Sequence, residues 1–252
     1  MCLRVPSHTY GGCPAIPVCL SAGWLAFSAV AALAADPPAA YEPTQHYARQ
    51  TIEGWRVLVN QKFLDGEPEF AGRTLTLLRF QLFQIDRKVP QEAVKKLRKI
   101  TIWVERAEPH HPCMAYHPDA GWLREHGMNP DKAGCVEVAN AENFWNWSRQ
   151  QPWMVLHELA HGYHDQFLGG FDNPEIRQAY ESAMKAGLYR SVMHVDGKRP
   201  EKAYAATNPM EYFAEGSEAY FGTNDFYPFV RAELRQYDPA MHDLLEKLWG
   251  VR

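Results

Sequence analysis

The chain has 252 residues, enough to bury a sizeable core in one large domain or two small ones. Its 46% hydrophobic and 22% charged content is that of a globular protein, and the 13% of aromatic residues, spread along the chain, excludes a disordered one. A formal charge of −4 gives no whole-chain attraction to nucleic acid or to an anionic membrane.

The first 35 residues stand apart. From Ala15 to Ala35 there is no charged side chain, and "LSAGWLAFSAVAALA" is apolar and rich in Ala. It ends in Ala32-Leu33-Ala34, an A-x-A pattern, ahead of the more polar "ADPPAAYEP". This order predicts a secretory signal peptide over residues 1–34, a linker over 35–44 and a single domain over 45–252. An uncleaved anchor is the alternative, because the run is nearly long enough to span a bilayer. Cleavage leaves an exported protein (periplasmic, cell-envelope or secreted) with no membrane attachment. It also removes Cys2, Cys13 and Cys19, so that Cys113 and Cys135 remain as one disulfide or as two free thiols. Neither has a C-x-x-C partner, which argues against a cysteine zinc site.

Further along, "TIEGWRVLVNQKFL" alternates β-branched and aromatic residues over a short span and predicts a hairpin. "EFAGRTLTLLRFQLFQIDRKV" sets Leu75, Leu78, Leu82 and Ile85 at helical spacing, and "PQEAVKKLRKI" opens a second helix at Pro90. "TIWVERAE" and "CVEVAN" have strand propensity. A helix over Pro152 to Leu168 is stopped by Gly169-Gly170. "NPEIRQAYESAMKAG" places Asn173 as N-cap, Pro174 at the first helical position and Gly187 at the end. "LYRSVMHV" reads as a strand. "NPMEYFAEGSEAYFG" repeats the Asn-Pro opening and closes on Gly222, and "FVRAELRQY" and "PAMHDLLEKLWG" give two last helices. Helices and a few strands without regular alternation predict an α+β fold.

The central helix carries the most chemistry. In "QPWMVLHELAHGYHDQ", His157 and His161 are four residues apart and about 40° apart around the axis, so both imidazoles share one face. Two such rings can fill two corners of a tetrahedral zinc site. Glu158, next to the first ring, is placed to take a proton from an attacking water rather than to bind metal. The neighbours Val155, Leu156, Leu159 and Ala160 are apolar and bury the helix.

A catalytic site needs a third protein ligand. His164 and Asp165 continue the same helix, and three ligands in line on a straight helix cannot wrap a tetrahedral ion. A metzincin would need Gly at position 164 and His at 167, where this chain has His164 and Phe167. "NPMEYFAEGSEAYF" offers Glu211 and Glu215 on one face of a second helix, with Glu218 on the same side, among aromatic residues. Carboxylates so placed need partners if buried. One of Glu211 and Glu215 would bind the metal, and the other would accept a ring N–H from His157 or His161. A partly exposed helix with an acidic stripe is the plainer alternative.

HExxH followed some fifty residues later by "EYFAE" is similar to the gluzincin arrangement, and resembles the catalytic domain of anthrax lethal factor and its bacterial relatives. The resemblance covers about residues 150–235 and implies a zincin-like metallopeptidase domain holding one zinc ion. It implies Glu211 as the third ligand beside His157 and His161, and Glu215 as the carboxylate that orients a histidine. It implies Glu158 as general base, and Tyr204, seven residues before Glu211, as the donor that stabilises the oxyanion. The expected enzyme is an exported zinc metalloendopeptidase with a peptide or protein substrate and no nucleic acid partner. The rival expectation is a non-catalytic zinc-containing binding or cell-envelope protein on the same fold.

Overall fold

A computed structural model describes residues 41–251. The expected signal segment 1–34 and residues 35–40 of the linker lie outside the described residues. The chain first forms the predicted hairpin, β1 (Tyr47–Ile52) and β2 (Trp55–Asn60). Its turn, Glu53 (φ 49°) and Gly54 (φ 88°), has positive φ at both central residues, as a two-residue turn matched to strand twist requires. Then come α1 (Gln61–Gly66), α2 (Pro68–Lys88), α3 (Gln91–Leu97), β3 (Ile102–Val104) and β4 (Met114–His117). They are followed by α4 (Ala120–Glu125), β5 (Cys135–Val138), α5 (Ala141–Trp147), α6 (Met154–Phe167) and α7 (Pro174–Ala186). The short pair β6 (Val192–Met193) and β7 (Pro200–Glu201) precedes α8 (Pro209–Phe221), α9 (Arg231–Tyr237) and α10 (Pro239–Trp249). The fold is α+β, as expected.

Five strands form one sheet in the order β1-β2-β3-β5-β4, parallel in the middle and antiparallel at both edges. Its central strands are short and apolar on one face: Val57, Val59, Ile102, Val104, Val136 and Val138 are all fully buried. That face carries the main core, to which α2, α3 and α6 contribute. Helix α6 begins at Met154 rather than Pro152, with Trp153 as its N-cap, and Gly169 and Gly170 follow its end with φ of 88° and 90°. "LYRSVMHV" contributes only two strand residues.

Cys113 and Cys135, the cysteines among the described residues, are free. Cys135 lies opposite His117, and Cys113 precedes Met114 at the other end of β4, so roughly 13 Å of strand separates them. That is beyond disulfide reach.

The second face of the sheet holds a buried ionic cluster. Lys132 Nζ donates to Glu105 Oε1 at 2.9 Å and to Glu137, which also bonds His117 Nε2 at 2.6 Å. Tyr47 O–H and Asn60 complete the shell of Glu105. Lys132 is 3% exposed and serves two buried carboxylates, so removing it leaves both without their cation. Lys132→Met is expected to cost about 3–5 kcal/mol in urea unfolding, whereas a solvent-screened pair would lose less than about 1.

Candidate metal centre

Two helices build the site by crossing antiparallel. Trp153 meets Gly222, His157 meets Glu218, and His161 meets Glu211, so residue numbers fall along α8 as they rise along α6. Gly222 sets how close the helices come: a Cβ there would stand 1.9 Å from Trp153 Cε2. On its other side α6 touches β4 closely, since a Cβ at Gly162 would lie 2.6 Å from Ile100 Cδ1 and 3.0 Å from Tyr116 Cε2. The Tyr116 hydroxyl donates to Asp165 at 2.7 Å, which gives that carboxylate a structural task and leaves it outside the metal site.

The three predicted ligands converge. Glu211 Oε2 lies 3.0 Å from His157 Nε2 and 3.2 Å from His161 Nε2. A tetrahedral ion with bonds near 2.0–2.1 Å separates its donors by about 3.3 Å, so these spacings fit zinc. Asn208 caps α8 by accepting from the backbone N–H of Glu211 at 2.9 Å, which fixes the residue that leads the helix into the site. His157 Nδ1 lies 2.8 Å from Glu218 Oε1 and Nε2 lies 3.0 Å from Glu211 Oε2; an Nδ1–H donated to Glu218 leaves Nε2 as the atom that would bind a metal. Without an ion, a proton on each ring nitrogen joins His157 to both carboxylates, and a bound cation would take the place of the Nε2 proton. The donor set therefore fits a divalent metal.

Burial alone would lower the pKa of His157, but hydrogen bonds to Glu211 and Glu218 outweigh it and raise it well above the usual imidazole value. Burial would raise Glu211, yet the His157 and His161 rings hold it well below the ordinary carboxylate range. Glu215 and Glu218 are pushed up, first by burial and then by neighbouring negative charge, including Asp225. The cluster carries more carboxylates than cations, which again favours a bound dication.

One expected role changes hands. Glu215 does not take the histidine N–H: its Oε1 is 3.8 Å from His157 Nδ1, and its Oε2 accepts from Asn224 at 3.0 Å. Glu218 holds the ring instead. Both lie on the inner face of α8, and the choice follows from the crossing, which places the level of Glu218 opposite His157. Glu158 is partly exposed beside the ligands. Tyr204, in a 3-10 turn (Tyr204–Ala206) just before α8, stacks on His157 with ring centroids 6.2 Å apart and is 41% exposed. His164 is fully buried against Phe171 and Phe213, with no protein partner at either ring nitrogen, and points away from any ligand role.

The comparisons with known proteins bear on this geometry. Residues 131–249 match the family described as glucose-regulated metallo-peptidase M90. Over that stretch the chain is similar to a metallopeptidase. The match includes every residue of the site and supports a metal-dependent peptidase; it names a different group from the lethal factor relatives that the motifs resemble. The solved Pro-Pro endopeptidase PPEP-2 from Paenibacillus alvei is similar at 18% identity and a TM-score of 0.39, over 79% of this chain and 99% of that one. That likeness is too loose to carry an argument. No curated protein matches the chain.

Two outcomes test the site. Glu218→Gln is expected to weaken zinc binding by roughly 10–100-fold in a competitive chelator titration, and more than Glu215→Gln does, because only Glu218 holds a ligand ring. For His164, burial first and then the His161 charge lower the pKa to about 4 from an ordinary 6.5. The unfolded chain takes up a proton that the folded chain refuses, so stability is intact above 6.5 and falls as pH drops towards 4. The loss approaches about 3 kcal/mol. Urea unfolding of the metal-free protein should show this fall, and His164→Leu should lack that part of it.

Proposed function

We propose that the protein is an exported zinc-dependent endopeptidase. The observation that carries the reading is the convergence of His157 Nε2, His161 Nε2 and Glu211 Oε2, at 3.0 and 3.2 Å, beside a free glutamate next to the first ligand. When bound, zinc supplies a Lewis acid that polarises the scissile carbonyl and acidifies the attacking water. Glu158 takes the proton of that water and passes it to the leaving amine. Tyr204, half-exposed and stacked beside His157, would stabilise the oxyanion by a hydrogen bond from its hydroxyl. Glu218 keeps His157 in the tautomer that faces the metal.

The substrate's place follows from the sheet. Among the described strands β4 pairs only with β5, and it packs on α6, the helix that carries the site; an edge strand so placed can pair with an extended peptide. Pairing of this kind suits an internal stretch of chain, which supports cleavage within a peptide or protein rather than at its end. The leader-like order of residues 1–34 supports export.

Zinc per chain and peptide hydrolysis of three proteins decide the matter. Glu158→Gln should keep its zinc and lose roughly a hundredfold or more in rate. Glu211→Ala should lose stoichiometric zinc. Full zinc in Glu211→Ala would overturn the ligand set, and wild-type rates in Glu158→Gln would overturn the peptidase reading in favour of a binding protein.

A further inference from the structure

The solvent face of α2 is unusual. The helix spans 21 residues, and Ala71, Thr74, Leu78, Gln81, Leu82 and Ile85 turn inward. Opposite them stand Phe80, 58% exposed, and Phe83, 50% exposed, one turn apart. Around them Arg73, Arg79, Arg87 and Lys88 are exposed, and none of these four makes an ion pair among the described residues. On the acid side, Asp86 is already bonded to Arg98 at 2.8 Å, and Glu69 lies at the far end of the helix. The C-terminal end of this face opens into a groove of about 710 Å³ lined by Arg87, Lys88, Phe221, Val230 and Arg231.

We propose that this face docks on an anionic membrane surface, with Phe80 and Phe83 entering the acyl boundary and the cations meeting lipid phosphates. Charge decides the occupant. Aromatic residues flanked by arginine suit an interface that is apolar at depth and negative at its surface. Residues 1–35 contain no acidic side chain, so that segment offers the arginines no counter-charge. A second copy presenting the same face would set arginine against arginine. The whole-chain charge of −4 conceals this local patch.

The test is co-sedimentation of the full chain with vesicles of phosphatidylglycerol and phosphatidylcholine, and with phosphatidylcholine alone. The wild type should bind the anionic vesicles and be released by salt. Phe80→Ser/Phe83→Ser should bind roughly tenfold more weakly or worse, and Arg79→Glu/Arg87→Glu should lose the preference for anionic lipid. All four positions are exposed, so zinc content and circular dichroism should stay at wild-type values. Equal capture by both vesicle types, unchanged in the variants, would assign binding to the apolar leader and overturn the proposal. Dimerisation abolished by Phe80→Ser/Phe83→Ser without vesicle binding would overturn it in favour of a second copy. Absence of binding to either vesicle would also overturn it.

Discussion

Helix α8 takes three glutamates, at 211, 215 and 218, into the interior of a small protein, and buried carboxylates are tolerated only where something positive or proton-bearing meets them. The partner is α6, which presents His157 and His161 against that face. The pairing is specific in level as well as in charge: Glu211 sits between the two Nε2 atoms, and Glu218 sits on Nδ1 of the first ring. Both helices bury apolar side chains around these pairs, so neither can slide without leaving a carboxylate unmatched. The remaining excess of negative charge is what makes the site a receptor for a dication rather than a closed set of ion pairs.

The rest of the fold holds that crossing in place. Gly222 lets the Trp153 ring lie against the end of α8, and Gly162 lets α6 approach β4 and Ile100. These two contacts lie on different sides of α6, which is therefore gripped between the sheet and α8. The ionic cluster on the second face of the sheet, Lys132 with Glu105, Glu137 and His117, ties β5 to β3 and to the segment after α4. It keeps the sheet's polar groups satisfied away from the metal, so that the sheet itself remains a firm support.

The helices were largely legible in the sequence because their ends are marked. Asn173-Pro174 and Asn208-Pro209 open α7 and α8, and both asparagines do accept from the backbone N–H groups of the first turn. The facing of His157 and His161 was legible because HExxH fixes its own geometry on a helix. Glu218 was not, since Glu215 and Glu218 differ by only about 60° around α8 and either could have faced His157. The level of the crossing decides, and it depends on the contact of Trp153 with Gly222 at the helix ends, which neither sequence stretch shows by itself. β4 escaped notice because its four residues between a run of polar residues and Pro118 carry no clear alternation. Its neighbours α4 and α5 are six and seven residues long, too short to show a helical period.

The boundary of the family match separates two kinds of residue. Everything that would do chemistry, from Glu158 to Glu218, lies within 131–249. The edge strand β4, which packs on α6, and the basic aromatic face of α2 lie before it. Class similarity over the matched stretch therefore speaks to how a bond would be cut. Which peptide reaches the site, and on what surface the enzyme works, are questions for the part of the chain before residue 131. There, the local arrangement of side chains outweighs a whole-chain property: a protein of charge −4 can still present a cationic face, because the Debye length at physiological salt is about 8 Å and a distant acidic residue cannot offset a nearby arginine.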